Sequence, residues 1–415
     1  MRKVIGIGET ILDIIFRNNR PHTAVPGGST FNGLISLGRL GVPVSFISEV
    51  GNDHVGDIIR DFMKENNIST RYVDRFPDGK SPISLAFLDN DSNADYTFYK
   101  DYPKQRLDVP LPEINEDDIF IYGSYYSLNP ALRERMVEFL DYARQRKAIL
   151  YYDPNFRKAH AHEAIHLAPT LLENFEYANI IRGSDEDFLN IFGEADSEKV
   201  YTDHIRFYCD RFITTHGAGG VNLYHGDLRL HFDSPSIRPV STIGAGDNFN
   251  AGILYGLLKN NVRHRDLATL PKETWANIIR CGIDLATEVC RSYDNYISKE
   301  FATSYLSQSY ISLTRKIKGY KDTCFSLSLL CMSSRSMILK RILFLFTSVA
   351  LLAGCSSGRA PEIRAICLRD DIGNYIIKWE TDPHTDGTMK LYVSDTPNSF
   401  DMSRPCSYAD INDGR

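Results

Sequence analysis

Through the first 300 residues, apolar runs of strand length alternate with stretches whose apolar residues recur at helical spacing. That alternation predicts an α/β fold built on a mainly parallel sheet flanked by helices. The runs at 4–7, 44–50, 118–122, 148–152, 177–181 and 211–215 read as core strands, and helical spacing covers 30–40, 55–66, 130–146, 186–192, 246–259 and 274–290. One region breaks the alternation: 83–88 and 96–99 are short strand-like runs joined by the turn-rich DNDSNAD. With the strand-like ILDIIF (11–16) and TRYVDRF (70–76), these runs predict a small β lid over one end of the main sheet.

Beyond residue 305 the pattern changes. Residues 306–336 form a Ser-rich linker with scattered basic residues, and MILKRILFLFTSVALLAGCSS (337–357) then reads as a signal sequence in an internal position. Lys340 and Arg341 supply its basic end, and 342–354 supply 13 uncharged residues. That length suits a signal core better than a membrane-spanning helix of about 20 residues. LAGC, ending at Cys355, resembles the lipobox of bacterial lipoproteins. After it, NYIIKWE and TMKLYVS predict strands of a partial β-sandwich over 356–415. The tail therefore reads as the start of a secreted protein run onto the preceding body. The other reading is a membrane tether, in which Lys340 and Arg341 keep the body on the cytoplasmic side.

The chain of 415 residues is 43% hydrophobic and 24% charged, enough to bury one large core or two modest ones. Disordered and collagen-like classes are excluded. Its 47 Lys plus Arg against 53 Asp plus Glu leave a net charge of −6, which gives no electrostatic footprint for nucleic acid as the main partner. Cys209, Cys281 and Cys290 are scattered through the body, while the other five cysteines lie in the tail. This usage suggests a reducing compartment for the body. Glu9 and Asp13 interrupt the apolar N-terminus before a signal core could form, so the body is expected in the cytoplasm.

The sharpest chemical signal is PVSTIGAGDNFNAG (239–252), a glycine-rich turn running directly into an apolar helix. Gly244, Ala245 and Gly246 let backbone N–H groups converge at a helix N-terminus, a place suited to phosphate charge, with Asp247 on the first helical turn. Taken alone, such a turn is also a common strand-to-helix connection. In PGGSTFNGLISLGRLG (26–41), Gly27 and Gly28 permit close backbone approach to a ligand, and Asn32 can bond a hydroxyl as donor and acceptor. A hinge followed by a helix cap fits the same residues. Asp13 is a carboxylate among apolar neighbours and needs polar partners, which sugar hydroxyls would supply.

Together with GNDHVG (51–56), DPNFR (153–157), SDED (184–187) and THGAGG (215–220), these segments, in this order, resemble the PfkB family of carbohydrate kinases with its ribokinase-like fold. The resemblance covers residues 1 to about 300. It implies ATP-dependent phosphorylation of a sugar hydroxyl, with Asp247 as base and the 244–246 turn as anion hole. It places Asp13, Gly27, Gly28, Asn32 and Arg157 at the sugar. Ser184, Thr215, Gly217 and Gly220 fall at the nucleotide, and Asp187 at Mg²⁺. A monovalent cation and a homodimer paired through the lid are further implications. The family usually carries Asp where Ser241 stands and Asn where Ser184 stands, which weakens the cation and metal assignments. GETILDII followed by GGSTFN most resembles the fructokinases within the family, with ribose, 2-keto-3-deoxygluconate or a nucleoside as alternative acceptors.

Readings from other classes compete. HEAIH (162–166) fits the zinc-hydrolase pattern H-E-x-x-H, without a third ligand at a recognisable spacing. HRDL (264–267) imitates a protein-kinase catalytic loop, and DNDSNAD a calcium loop, but each lacks the residues that would complete it. An inactive sugar-binding regulator would keep the fold, but a pure binder has no use for a base beside an anion hole.

Overall fold

The computed structural model describes residues 2–88 and 94–307, and beyond them only the backbone of six short strands. Two compact units divide the chain, Met1–Ser307 and Gln308–Arg415.

In the first unit the chain runs β1 (Val4–Ile7), β2 (Ile11–Arg17), β3 (Arg20–Gly27), α1 (Ser29–Arg39), β4 (Val44–Gly51), α2 (His54–Glu65), β5 (Ile68–Phe76), β6 (Lys80–Leu88) and β7 (Ala94–Asp101). It continues through β8 (Ile119–Gly123), α3 (Arg133–Gln145), β9 (Ile149–Asp153), α4 (Ala164–Tyr177), β10 (Ile180–Ser184) and α5 (Asp185–Phe192). The one-turn α6 (Ser197–Val200), β11 (Arg211–Thr215), β12 (Val221–His225), β13 (Leu228–Phe232), α7 (Ala245–Lys259) and α8 (Lys272–Val289) follow.

Nine strands form the main sheet in the order β13-β12-β11-β10-β9-β8-β1-β4-β5. All pairs are parallel except β11/β12 and β12/β13, so an antiparallel hairpin extends one edge. The parallel strands are buried on both faces, which is why they read as continuous apolar runs rather than as alternation. Ile119, Ile149, Tyr151, Ile180 and Ile213 pack one core with Leu34, Ile253, Trp275 and Leu285 of the helices. Phe120, Leu150, Tyr152, Ile181 and Phe212 pack the other with Phe139, Leu140, Phe175 and Phe188.

A second sheet has four strands, β3-β2-β6-β7, and takes up most of the runs expected in the lid. One expectation needs correcting here: 70–76 does not belong to it. That run lies in β5, paired parallel with β4 from Val44↔Ile68 to Gly51↔Phe76, and forms the far edge of the main sheet. Its half-polar alternation reflects an edge strand with one covered face, which sequence cannot separate from a lid strand. The strand of the second sheet that the sequence hid is β3, whose first five residues are exposed and polar or small. The connecting DNDSNAD turn lies outside the described residues except at its end.

Strand order fixes where a ligand can sit. Chain connections leave β1 towards β4 and β5 on one side, then cross to β8 and beyond on the other. The carboxyl ends of β1 and β8 therefore flank a topological switch point, the crevice in which open α/β sheets bind ligands.

In the second unit, Phe325–Ser328 pairs with Ser348–Leu351, Arg364–Arg369 with Tyr375–Glu380, and Thr388–Leu391 with Ser407–Asp410, all antiparallel. The strands expected near 374–380 and 388–394 fall on the second and third pairs. The signal-like segment, including Cys355, lies outside the described residues apart from Ser348–Leu351. No helix among the described residues is long and apolar enough to cross a membrane.

Candidate active site

The glycine turn enters α7 through Gly244, at φ 77°, a left-handed conformation that favours glycine. Space requires glycine there as well, since a Cβ would stand 2.8 Å from the Asn295 carbonyl oxygen. Asn248, fully buried, locks the arrangement: its Nδ2 donates to the carbonyls of Gly244 and Asn295, both at 2.8 Å, and its Oδ1 accepts from Ser36 Oγ at 2.5 Å. The N–H groups at the start of α7 are thus presented by a braced turn.

Asp247, on that first turn, is 9% exposed. Ser29 Oγ donates to its Oδ1 and Asn32 Nδ2 to its Oδ2, each at 2.9 Å. Both donors sit at the start of α1, which crosses α7 closely because Gly33 has no side chain; a Cβ there would stand 2.7 Å from the Asp247 carbonyl oxygen. Burial pushes the Asp247 carboxyl up to about 6, against the opposing pull of Asn32, Arg157 and Ser29. A small cavity of about 10 Å³, room for a single water, lies beside it, lined by Ser29, Gly123, Asp153, Asp247 and Asn250 among others.

Asp13, on β2, accepts a very short hydrogen bond from Ser84 Oγ of β6. Burial raises its carboxyl, with Ser84 pulling the other way. Gly27 makes room for it, because a Cβ there would lie 2.6 Å from Asp13 Oδ2. Gly28 has a backbone reason of its own: at φ 137° it caps α1, and a Cβ would meet the Glu9 carbonyl oxygen at 2.4 Å. Arg157 is exposed and acts on Asp247 through its charge.

On the other flank of the turn lies a buried network centred on Arg182, to which the motifs gave no assignment. Arg182 of β10 donates from Nη1 to Asp153 Oδ2 (3.1 Å) and from Nη2 to Thr215 Oγ1 (2.6 Å). Asn250 Nδ2 donates to the same Asp153 oxygen at 2.5 Å, and Tyr151 OH donates to Asn250 Oδ1 at 2.8 Å. Ser184 and Asp187 form a reciprocal cap on α5, with Ser184 N and Oγ both donating to Asp187 Oδ2 at 2.7 Å. Burial raises the Asp187 carboxyl, and the nearby Asp153 adds to the effect. Gly217 and Gly220, at φ 54° and 91°, shape the turn after β11.

A model of the pfkB family of carbohydrate kinases matches residues 1–300. The chain belongs to that family. It is 26% identical over 283 residues to a fructokinase of Rhizobium leguminosarum bv. trifolii, covering 66% of this chain and 86% of that protein. It is 24% identical over 289 residues to the aminoimidazole riboside kinase of Salmonella typhimurium, covering 68% and 88%. Among solved structures, the fold is shared with the Vibrio cholerae fructokinase crystallised with fructose, ADP and calcium ion, at a TM-score of 0.60, 19% identity, and 71% and 94% coverage. It is also shared with the Salmonella enterica aminoimidazole riboside kinase in complex with aminoimidazole riboside and an ATP analog, at 0.59, 22%, and 74% and 100%. The ribokinase-like fold and a sugar-kinase function follow.

For this sugar kinase, the residues expected from sequence fall into two sets. Asp247 and Asn32 are hydrogen-bonded to each other, with Gly27 and Gly28 at the junction of β3 and α1 and Asp13 packed against Gly27. Thr215 accepts from Arg182 at the end of β11, and Asp187, bonded to Ser184 at the start of α5, acts on Arg182 through its charge. Sequence reasoning missed Ser29, Gly33, Asn248, Asn295, Arg182 and the role of Asp153. DPNFR flagged Asp153 as part of a motif, but nothing in one sequence paired it with Arg182, 29 positions away. The zinc reading of 162–166 is corrected. The stretch is not one helix, since a 3-10 turn (Lys158–Glu163) ends where α4 begins, and Glu163 is occupied by His160 and Tyr125. Among the described residues no group of three potential ligands could hold a metal ion.

Proposed function

We propose that this kinase transfers the γ-phosphoryl group of ATP to a hydroxyl of fructose, with Asp247 as general base. The supporting observation is a buried carboxylate held by neutral donors on the first turn of a helix whose N-terminus is a braced glycine turn. In-line transfer passes through a charge-rich, loose transition state, so alignment and charge stabilisation carry most of the catalysis. The backbone N–H groups at Ala245 and Gly246 face the transferred phosphoryl oxygens, aided by the helix dipole. Asp13, held between Ser84 and Gly27, and Asn32, whose Oδ1 is buried without a partner among the described residues, orient the sugar hydroxyls. Asp247 then takes the hydroxyl proton late in the transfer.

ATP fits between the Gly217–Gly220 turn and the glycine turn, with Thr215 at its edge. Magnesium usually binds through one or two carboxylates and substrate phosphates. Asp187 is the hard oxygen donor available to it, and the ion would supply charge neutralisation at the phosphates. At Ser241 the hydroxyl accepts from the Ile243 N–H at 3.2 Å, so a monovalent cation would lack the carboxylate usual in the family.

Fructose is favoured by the likeness to fructokinases. The riboside kinase relative supports a nucleoside as the second reading. An ADP-release screen over about a dozen sugars and nucleosides separates them, because discrimination is read directly as a ratio of kcat/KM values. Asp247→Asn tests the base: kcat should fall roughly 10²- to 10⁴-fold while sugar and ATP dissociation constants stay within a few-fold. A single-turnover rate within about tenfold of wild type would remove Asp247 as principal base.

A further inference from the structure

Arg182 belongs to none of the motifs, yet it is the buried cation nearest the glycine turn. It is 5% exposed and stands two residues before the end of β10. A Cβ on Gly246 would lie 3.1 Å from its Nη1 and 3.3 Å from its Nη2. The guanidinium therefore packs directly against Gly246 in the first turn of α7. Burying a guanidinium is costly unless its charge and donors are matched. Here the match is partial: Asp153 pairs one Nη, Thr215 takes the other, and Nε is buried with no acceptor among the described residues. Asp153 is itself held in place by Asn250 and by the Asn155 N–H at 3.1 Å. A planar fork lying against a turn that presents helix N–H groups, with its Nε donor still unmatched, suits phosphate oxygens.

We propose that Arg182 is a catalytic residue that contacts the terminal phosphates of ATP, with Asp153 and Thr215 as positioning residues for its guanidinium. The inference rests on the sugar-kinase reading above. In the transfer, the sugar oxygen forms a bond to the γ-phosphorus while the bond from that phosphorus to the bridging oxygen breaks. The electron pair of the broken bond stays on the β-phosphate oxygen, and the hydroxyl proton passes to Asp247. Arg182 approaches from the nucleotide side, where Thr215 leads into the Gly217–Gly220 turn, whereas Asp247 faces α1 and the sugar. Its charge thus stabilises the leaving oxygen, and the base and the electrophile sit on opposite flanks of Gly246.

The test uses the full chain, with binding of ATP plus magnesium and of adenosine measured by calorimetry alongside steady-state kinetics. In Arg182→Met, kcat should fall roughly 10²- to 10³-fold, the usual loss when one preorganised donor is removed from a developing charge. Affinity for ATP should drop at least about tenfold while adenosine affinity and sugar KM hold within twofold, because adenosine has no phosphates to lose. Equal weakening of ATP and adenosine would mark Arg182 as merely structural and overturn the proposal. If Arg182→Met does not fold, Thr215→Val decides. It keeps the shape and the Asp153 pair but frees one Nη, so kcat and the ratio of ATP to adenosine affinity should both fall several-fold, and an unchanged kcat with an unchanged ratio overturns the proposal. The ratio of ATP to adenosine affinity is readable even if no sugar is phosphorylated. Failure of the kinase reading and failure of the Arg182 assignment are therefore distinguishable.

Discussion

Two buried carboxylates flank the glycine turn and are treated in opposite ways. Asp247 is held by a hydroxyl and an amide, both neutral. Asp153 is held by the Arg182 guanidinium, the Asn250 amide and a backbone N–H. These neutral donors and the charge of Arg157 offset the desolvation of Asp247 only in part, so its carboxyl rises to about 6 and can receive a proton near neutral pH. A full counter-charge makes Asp153 an anchor instead, committed to a cation that it must hold. The difference teaches that a buried carboxylate held only by neutral donors has its proton affinity raised, whereas one paired with a cation serves to hold that cation.

Removing the charge from each should therefore move stability in opposite directions. Asp153→Asn strands the Arg182 charge in the interior and should cost about 3–5 kcal/mol in urea denaturation, the range for breaking a buried pair. A loss below about 1 kcal/mol would mean that Arg182 finds another partner. Asp247→Asn should stabilise the fold. Because its folded carboxyl is raised to about 6 from 3.8, the wild type loses stability as pH climbs through that window and stays lower above it. The variant escapes this loss, so its advantage should be absent near pH 4, open between about 4 and 6, and reach at most about 3 kcal/mol by pH 8. Melting curves across that range would show a flat difference if burial of the charge were not the cause.

A smaller effect sharpens the same contrast. Asn32 pulls the Asp247 carboxyl down, so Asn32→Ala should raise it further and shift the acid limb of kcat/KM, expected near pH 6, upward by about 0.7 unit for a hydrogen bond of about 1 kcal/mol. An unmoved limb would separate the titrating group from Asp247. The smallest effect expected is that of removing the tail. Both main cores and every site residue lie within Met1–Ser307, so a chain ending after Ser307 should match the full chain in melting temperature and specific activity. Unfolding on truncation would show that the tail is needed by the first unit.

Local chemistry made much of this molecule legible. Parallel strands buried on both faces leave continuous apolar runs, so β1, β4, β8, β9 and β11 could be read directly; the run at 177–181 was placed early, since Tyr177 still closes α4 and β10 begins at Ile180. The glycine turn was legible because it runs directly into an apolar helix and follows the other family-like segments in order. Edge and lid strands were not separable, since the same half-polar pattern serves both, and β5 and β3 were misread or missed on that ground.

What the sequence by itself determined was the alternating α/β body, the glycine turn with Asp247, and the change of character after residue 305. These are set by covalent neighbours and by periodicity, which one chain displays in full. Only the tertiary structure decided that Ser29 and Asn32 hold Asp247 through neutral donors, that Gly33 lets two helices close on it, and that Arg182 lies against Gly246 paired with Asp153. Those relations join residues from 29 to more than 200 positions apart. Whether a carboxylate becomes a base or an anchor depends on which distant dipole or charge packing brings against it, and that is a property of the folded site rather than of the carboxylate's neighbours in sequence.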